Sequence, residues 1–311
     1  MIRVAIIGAG IAGLACARRL QQAGLQPLLL DKGRGIGGRV ATRRANGLHF
    51  DHGAQYVTAK GDQFTAALEG LVARGNAAPW ANGTGRTQIV GTPSMSSIPK
   101  ALAAGLDVRT GVQVTNVQRD GLRWKLRFGD TDHTFTHVVV TVPAPQVGDL
   151  LGADHPMAAR IASVRFAPCL TLMAGIVGPA PFVSRREPDD PLAWISNNGS
   201  KPGRSRNEAI AWVAQAGLDF SSKHLEDGLP QISARMLPLL CDSLGVIPDK
   251  VIHVAAHRWR YARVTDPLGQ PFLSTSDATL YLGGDWCLGA RVEAAWTSGS
   301  ALAEDLLEHL K

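Results

Sequence analysis

The chain has 311 residues, of which 45% are hydrophobic and 19% are charged, and this composition is typical of a globular protein. The length suffices for one large domain or two interleaved domains, and no apolar run is long enough to span a membrane. The net charge is +6, but the basic residues occur in scattered pairs without a nucleic-acid-binding motif, so we expect no nucleic-acid partner. The four cysteines form no CxxC pair and no ligand spacing with histidine, which argues against a bound metal and a disulfide framework.

The first 31 residues carry the most informative pattern of the chain. An apolar run ends in a GxGxxG turn, an amphipathic stretch follows, and a second apolar run closes on an acid. This order is typical of a dinucleotide-binding βαβ unit, in which the helix N-terminus faces the phosphates and the acid accepts hydrogen bonds from ribose hydroxyls. The residues expected to contact the dinucleotide here are Gly8, Gly10, Ile11, Ala12, Gly13 and Asp31. Because the first strand begins at residue 2, we expect no signal peptide and a cytoplasmic protein.

A second glycine-rich loop follows the acid, over residues 33–39. Gly38 would let the backbone approach the cofactor, and Arg39 can pair with a diphosphate through its planar guanidinium. The alternative is a flexible surface loop with a solvated arginine, but the GxGxxG turn upstream favours phosphate binding. The neighbouring cations Lys32 and Arg34 could contribute to that site or simply be exposed.

Hydrophobic periodicity predicts the remaining elements. In chain order they are helices over 62–74 and 97–104, a strand ladder over 107–141, extended segments over 165–177 and 209–216, a polar loop region over 184–207 with one apolar island, a helix over 228–244 with a break or kink at Pro238, a strand over 251–259, a short strand over 278–282, and a closing helix over 292–310. The dinucleotide-binding fold would therefore begin and end the chain, with the middle inserted as a second domain.

Three separated segments resemble the flavin-dependent amine oxidases in the broad sense. They are GAGIAGL at 8–14, GIGGRVATRR at 35–44 and GGDWCLGARVEAAWTSG at 283–299. Within that superfamily the chain is most similar to the renalases, above all the short bacterial ones. The segments that carry this closer resemblance are DHGAQY at 51–56, WISN at 194–197, SKPGR at 200–204 and HRWRYA at 257–262.

The resemblance implies an α/β fold, with a Rossmann-like FAD-binding domain and an inserted β-rich α+β substrate domain. We expect the FAD-binding domain at residues 1–60, 92–150 and 275–311, and the substrate domain at 61–91 and 151–274. The resemblance also implies non-covalent FAD and oxidation of misreduced nicotinamide dinucleotides, the 2- and 6-dihydro isomers of NAD(P)H, to NAD(P)+ by hydride transfer to flavin N5. Dioxygen would reoxidise the flavin and yield hydrogen peroxide.

Four residues outside the glycine-rich segments are further candidates for FAD binding: Val114, Asp285, Arg291 and Val292. Asp285 would accept hydrogen bonds from the ribityl hydroxyls, or could merely be a turn acid. The helix N-terminus at Arg291 and Val292 would stabilise negative charge on the N1–C2=O edge of the flavin. Val114 lies where the family's adenine stacks, although by itself it is an ordinary core valine.

The segment around residue 55 and one cysteine have more than one interpretation. Ala54, Gln55 and Tyr56 could lie near the flavin ring, because the preceding Gly53 permits a close backbone approach, or they could be ordinary strand residues. Cys287 could anchor a covalent flavin, but its sequence context favours a small buried side chain.

A strand near the C-terminus carries the candidate substrate wall. Its members are His257, Arg258, Trp259 and Tyr261, with Trp194 and Asn197 as weaker candidates. Aromatic faces suit a nicotinamide ring and arginine suits a phosphate. Strand alternation would place the two aromatic residues and the histidine on one face and the arginine on the other. The alternative is a core stripe backed by a solvated arginine.

We expect no catalytic side chain, since hydride transfer from a dihydropyridine needs no general base. The first alternative function is an amine oxidase, which would use an aromatic cage and often a lysine near the flavin, and no lysine here can be assigned that role. The second is a flavin- or nucleotide-binding sensor without turnover.

Overall fold

The computed structural model describes residues 2–82, 85, 87–205 and 207–311. Its strands are Val4–Ile7 (β1), Leu28–Asp31 (β2), Thr42–Ala45 (β3), Leu48–Asp51 (β4), Ala77–Trp80 (β5), Gln88–Gly91 (β6), Asp107–Thr110 (β7), Val114–Asp120 (β8), Arg123–Phe128 (β9), Thr131–Phe135 (β10), His137–Val140 (β11), Arg165–Val177 (β12), Ser184–Arg186 (β13), Trp194–Asn197 (β14), Ala209–Gln215 (β15), Val251–Asp266 (β16), Phe272–Ser274 (β17) and Leu280–Gly283 (β18). Its α-helices are Ile11–Gln22 (α1), Asp62–Ala73 (α2), Ser97–Ala103 (α3), Val147–Leu151 (α4), Pro156–Ala159 (α5), Leu218–Lys223 (α6), Leu229–Leu244 (α7) and Val292–His309 (α8).

A six-stranded sheet joins the two ends of the chain. Its strand order is β17-β18-β11-β1-β2-β7, in which β17 is antiparallel and the other five strands are parallel. All four residues of β1 are buried, because a parallel strand covered on both faces needs apolar side chains at every position. The βαβ unit predicted at the N-terminus is therefore present, and the predicted α/β fold class is confirmed.

Different layers cover the two faces of this sheet. Helices α1 and α8 pack on one face, where a core of buried apolar residues extends to α2 and the β5–β6 hairpin. The antiparallel sheet β10-β9-β8 and helix α4 cover the other face. The turn after β1 and the segment between β18 and α8 lie at the same edge of the central sheet, because β1 and β18 each pair in parallel with β11.

A second, antiparallel sheet has the order β13-β14-β15-β12-β16. Helix α7 packs on one face of this sheet, and the β3–β4 hairpin packs on the other. The hairpin is the continuation of the glycine loop after β2, so it connects the central sheet to the second sheet.

Three details of the second sheet differ from the predictions. Helix α7 is not interrupted at Pro238, because buried side chains on its inner face, including Met236 and Leu240, hold the helix against the sheet. Strand β16 continues beyond residue 259 to Asp266, since its pairing with β12 extends through two register shifts. The polar region over 184–207 contains strands β13 and β14, and the second half of the apolar island, Trp194 and Ile195, belongs to β14.

Candidate cofactor and substrate site

Glycines shape the turn between β1 and α1. Gly8 has a φ of +105°, and a Cβ on Gly13 would lie 2.0 Å from the carbonyl oxygen of Gly8. Only glycine at both positions therefore lets α1 pack this closely on the strand end. Gly10 precedes α1 in an extended conformation without a side-chain cap, and nothing lies within 4 Å of where its Cβ would be. The N–H groups of Ile11, Ala12 and Gly13 in the first turn are left for another acceptor, as a diphosphate requires.

Asp31 fastens this turn to the loop that follows β2. Its Oδ2 accepts a hydrogen bond from the Ala9 N–H at 2.7 Å, and its Oδ1 accepts one from the Gly33 N–H at 2.7 Å. The Gly37 N–H then donates to the Ala9 carbonyl at 2.8 Å, so the loop crosses the glycine turn, and Gly38 lies beside Gly10. A carboxylate has further lone pairs, so Asp31 can still accept hydrogen bonds from ribose hydroxyls.

Two other predicted cofactor residues adjoin this junction: Lys32 lies between Asp31 and Gly33, and Val114 comes shortly after Val112, whose N–H donates to the Asp31 carbonyl at 2.9 Å. Lys32 is exposed, and its Nζ is 3.3 Å from Oε1 of Gln146. Val114 is buried, 6% exposed, in the core on the opposite face of the central sheet from α1.

Arg39 and Asp285 are 246 residues apart and in direct contact. Nη2 of Arg39 lies 2.5 Å from Oδ1 of Asp285, which is 7% exposed. Nη1 of Arg39 donates to the carbonyl oxygens of Tyr261 and Ala262 at 3.2 and 3.1 Å, and the backbone N–H of Ala54 donates to the Arg39 carbonyl at 2.9 Å. Arg39 thus joins both ends of the chain, strand β16 and the segment around residue 55.

The N-terminus of α8 has no side-chain cap. Arg291 precedes the helix, Val292 is its first residue, and Glu293 is 5% exposed. Oε1 of Glu293 accepts hydrogen bonds from the N–H groups of Lys60 and Gly61 at 2.9 and 2.7 Å. Burial raises the pKa of Glu293, but these two hydrogen bonds and the neighbouring Arg291 outweigh it and lower the pKa below its usual value. The Glu293 carboxylate therefore binds the backbone of residues 60–61. The N–H groups at the start of α8 are left to face an anion.

A buried ionic network lies beneath the segment around residue 55. Oδ2 of Asp51 lies 3.0 Å from Nζ of Lys201 and 2.6 Å from Nη2 of Arg204, and the side chains of all three are at most 2% exposed. Nζ of Lys201 also donates to Oε1 of Gln55 at 3.3 Å and to Oδ1 of Asn198 at 3.4 Å. The side chain of Gln55 is therefore directed into this network.

The charges of the network stabilise one another. Burial raises the pKa of Asp51, but Lys201 and Arg204 outweigh it and hold the pKa at about 2. Burial lowers the pKa of Lys201 from 10.5 to about 8, against the opposing attraction of Asp51. Lys201 is thus a tethered cation at neutral pH. Asp51, Lys201 and Arg204 belong to the segments 51–56 and 200–204 that carry the family resemblance, but the sequence alone does not indicate that they pair.

The aromatic rings of His52, His257 and Trp259 form a ring wall where β16 meets the segment after β4. The rings of His52 and Trp259 stack at 5.3 Å with an interplanar angle of 22°, and His257 contacts both edge-on at 4.8 and 4.2 Å. Nε1 of Trp259 donates to the His52 carbonyl at 2.8 Å. Burial lowers the pKa of each histidine from 6.5 to about 4, with Arg43 contributing in both cases. These rings are therefore uncharged at neutral pH, and His52 is a member that the sequence did not suggest.

The other predicted wall residues lie elsewhere. Arg258 pairs with the backbone carbonyl of Asp227 on the opposite face of β16. Tyr261 packs edge-on against Phe166, with ring centroids 5.7 Å apart. Trp194 and Asn197 are the first and last residues of β14. Trp194 packs on Tyr56 with ring centroids 5.8 Å apart, and the Asn197 side chain accepts a hydrogen bond from the N–H of Ser200. The structure thus groups His257 and Trp259 but not the full predicted set.

Cys287 is fully buried, and burial raises the pKa of its thiol to about 12. A protonated, enclosed thiol is a poor nucleophile, so we expect acid precipitation of the protein to release all of its flavin into the supernatant. The Cys287→Ala variant should keep the flavin content of the wild type. Flavin that stays with the wild-type precipitate and is released from the variant would contradict this expectation.

Comparison with known proteins agrees with this geometry. A model of the NAD(P)-binding Rossmann-like domain matches residues 6–71, and a model of the flavin-containing amine oxidoreductases matches residues 79–307. Mouse (Mus musculus) renalase is 28% identical over 298 residues, which cover 85% of this chain and 86% of that protein. Among the described residues, no helix is long and apolar enough to cross a membrane, and no group of candidate ligands could hold a metal ion.

Two solved structures share the fold. Cyclohexylamine oxidase from Brevibacterium oxydans IH-35A superimposes with a TM-score of 0.74 at 13% identity, and putrescine oxidase bound to putrescine with a TM-score of 0.66 at 14% identity; each match covers 99% of both chains. The open glycine turn, its acid and the Arg39–Asp285 pair suit the diphosphate and hydroxyl groups of FAD. The chain belongs to the flavin-containing amine oxidoreductases, and it is a renalase-like, FAD-dependent oxidoreductase within that family.

Proposed function

We propose that this protein oxidises misreduced nicotinamide dinucleotides, the 2- and 6-dihydro isomers of NAD(P)H, to NAD(P)+. Bound FAD would supply the hydride acceptor at N5, and dioxygen would be the final electron acceptor, giving hydrogen peroxide. The observation that carries the proposal is the wall of uncharged rings formed by His52, His257 and Trp259. A Cβ on Gly53 would lie 3.4 Å from Cζ2 of Trp259 and 2.0 Å from the carbonyl oxygen of Arg39, so the wall reaches the arginine that pairs with Asp285.

The side chains of this wall bind and orient; none of them needs to take a proton. Flat uncharged rings can stack on a dihydropyridine and exclude water from it. Both imidazoles are neutral at physiological pH because burial depresses their pKa values to about 4. An amine oxidase often has a lysine near the flavin. Lys201 is buried, but its Nζ pairs with Asp51 at 3.0 Å. This arrangement favours dihydropyridine oxidation over amine oxidation.

The residues predicted from the sequence have the following roles in this reaction. For FAD they are Gly8, Gly10, Ile11, Ala12, Gly13, Asp31, Lys32, Gly38, Arg39, Ala54, Gln55, Tyr56, Val114, Asp285, Arg291 and Val292. For the substrate they are His257 and Trp259, whereas the other predicted residues, Tyr261, Arg258, Trp194 and Asn197, have partners outside the ring wall. We further propose that residues 1–60, 92–150 and 275–311 form the FAD-binding domain, that 61–91 and 151–274 form the substrate domain, and that FAD is bound without a covalent bond.

The pH dependence of the reaction follows from the histidine pKa values. With both groups neutral, we expect kcat/KM for 6-dihydro-NAD to change by less than about twofold between about pH 5.5 and about pH 8. Steady-state assays across that range, with flavin content measured at each pH, provide the check. A sigmoid or bell-shaped profile centred near about pH 6.5 would show instead that a histidine of ordinary pKa takes part.

A substrate panel tests the activity itself. The FAD-loaded enzyme is assayed in air for peroxide with 2-dihydro-NAD, 6-dihydro-NAD, ordinary NADH, monoamines and polyamines. The proposal predicts peroxide and NAD+ in equal amounts from the two isomers and none from the amines. Turnover of amines would support the amine oxidase alternative, and no turnover of any compound would support a sensor.

A further inference from the structure

A cavity of about 380 Å³ opens between the glycine loop after β2, strand β3 and helix α3. Four of the residues that line it are cations: Arg34, Arg43, Arg44 and Lys100. No carboxylate belongs to its described lining, and none of the four cations forms a salt bridge or a side-chain hydrogen bond with a described residue. The cavity therefore has a strong positive charge that the described protein does not neutralise.

The position of Arg43 separates this cavity from an ordinary basic surface. Its side chain is half-buried, and its charge contributes to the lowered pKa values of His52, His253 and His257. An unpaired guanidinium that lies this close to three imidazoles gains more from an anion than a fully solvated arginine does, because less water screens it. Arg34, Arg44 and Lys100 are exposed, so they remain free to close on a ligand.

His52 joins the cavity to the aromatic rings. It lines the cavity, is 7% exposed, and stacks on Trp259 with ring centroids 5.3 Å apart. A group bound in the cavity would therefore lie next to the stacked rings.

The cavity borders the expected cofactor site without coinciding with it. Gly38 belongs to its lining, whereas Gly10, Asp31 and Arg39, which suit the FAD diphosphate, do not. His52 contributes to both the cavity and the ring wall, where it stacks on Trp259. One molecule could therefore place an anionic group in the cavity and a flat ring against the stacked rings.

We propose that this cavity binds the diphosphate of the dinucleotide substrate, with Arg43 and Lys100 as its main anion contacts. This inference rests on the proposed function, because a nicotinamide dinucleotide carries a diphosphate between its two nucleoside halves. The cavity accommodates that group, and its uncompensated cations match the two negative charges. The Arg43, Lys100 and His52 side chains thereby become determinants of substrate affinity and have no part in bond breaking.

The test compares binding by the FAD-loaded wild type and by the Arg43→Gln/Lys100→Gln double variant. ADP-ribose, which carries the diphosphate but no nicotinamide, is titrated by calorimetry, with adenosine and inorganic pyrophosphate in parallel. The matched control is Arg123→Gln/Lys250→Gln, which removes the same charge from exposed cations elsewhere. We expect the Kd for ADP-ribose to rise by about tenfold or more in the double variant and by less than about twofold in the control, because charge-assisted contacts are local.

The single variant Lys100→Gln keeps the test informative if the double variant fails to fold, because Lys100 is exposed on α3. ADP-ribose should also compete with 6-dihydro-NAD in the wild type. Equal affinities in the double variant and the control, binding of pyrophosphate without ADP-ribose, or loss of FAD from the double variant would each overturn the inference. Wild-type flavin that dihydro-NAD does not reduce would refute the proposed function, and the ADP-ribose result would still decide whether the cavity binds a diphosphate.

Discussion

The Gly10→Val variant is expected to fold normally and to lose FAD. Gly10 has φ −76° and ψ −178°, which valine can adopt, and nothing lies within 4 Å of the position of its Cβ. The new side chain would occupy the space in front of α1, where the backbone must approach the cofactor diphosphate. We expect the purified variant to hold less than about a tenth of the wild-type flavin, since this close approach has no substitute.

Flavin absorbance per protein and the thermal unfolding curve of the apoprotein measure the two effects separately. Gly148→Val is the matched control, because it makes the same change at a glycine in α4, far from the turn, where the contact closest to an added Cβ lies at 4.0 Å. Full flavin content in Gly10→Val would show that the diphosphate does not lie over this turn. Loss of folded structure in that variant would show that the turn is held more tightly than the open space around Gly10 indicates.

The Asp51→Asn variant is expected to lose about 3–5 kcal/mol of stability, which is the usual cost of leaving a buried charge without its partner. Its carboxylate pairs with Lys201 and Arg204, and the three side chains are at most 2% exposed. The carboxylate also accepts hydrogen bonds from the Thr42 hydroxyl at 2.6 Å and from the Met95 N–H at 3.0 Å. Asparagine keeps the volume but cannot neutralise two buried cations. Urea unfolding at neutral pH gives the free energy difference.

The effect should depend on pH in one direction. Because the folded-state pKa of Asp51 is about 2 and its ordinary value is 3.8, its stabilisation is complete above about pH 4 and is lost as the pH falls through about 2. The control is Asp132→Asn, which breaks a pair with Arg127 that water screens, so we expect no measurable change. Equal stability of Asp51→Asn and wild type would mean that the network contributes no net stability.

Local patterns of the sequence were sufficient to predict the cofactor turn. Gly8, Gly10, Gly13 and Asp31 lie within one βαβ unit, so apolar periodicity and spacing determine their arrangement without any information about distant parts of the chain. The contact between Arg39 and Asp285 is different, because it joins residues 246 positions apart. The sequence predicts that both residues bind the same FAD molecule, but it does not predict that they contact each other.

The buried network could not be predicted in the same way. Lysine is rarely buried, so a sequence-based prediction places Lys201 at the surface. Its partner Asp51 is 150 positions away, so no local pattern indicates the pair. Likewise, Pro238 predicts a break or a kink from local backbone chemistry, but the helix does not break there, because α7 packs on the second sheet on both sides of the proline. His52 was missed because its ring contacts depend on how the β3–β4 hairpin meets β16.

Rapid anaerobic mixing of the FAD-loaded enzyme with 6-dihydro-NAD tests the central claim most directly. The account predicts that the visible flavin absorption disappears within seconds, with one equivalent of NAD+ formed per flavin, and that it returns when air is admitted. A flavin spectrum that stays unchanged over the same period, in protein shown to contain bound FAD, would contradict the proposed function.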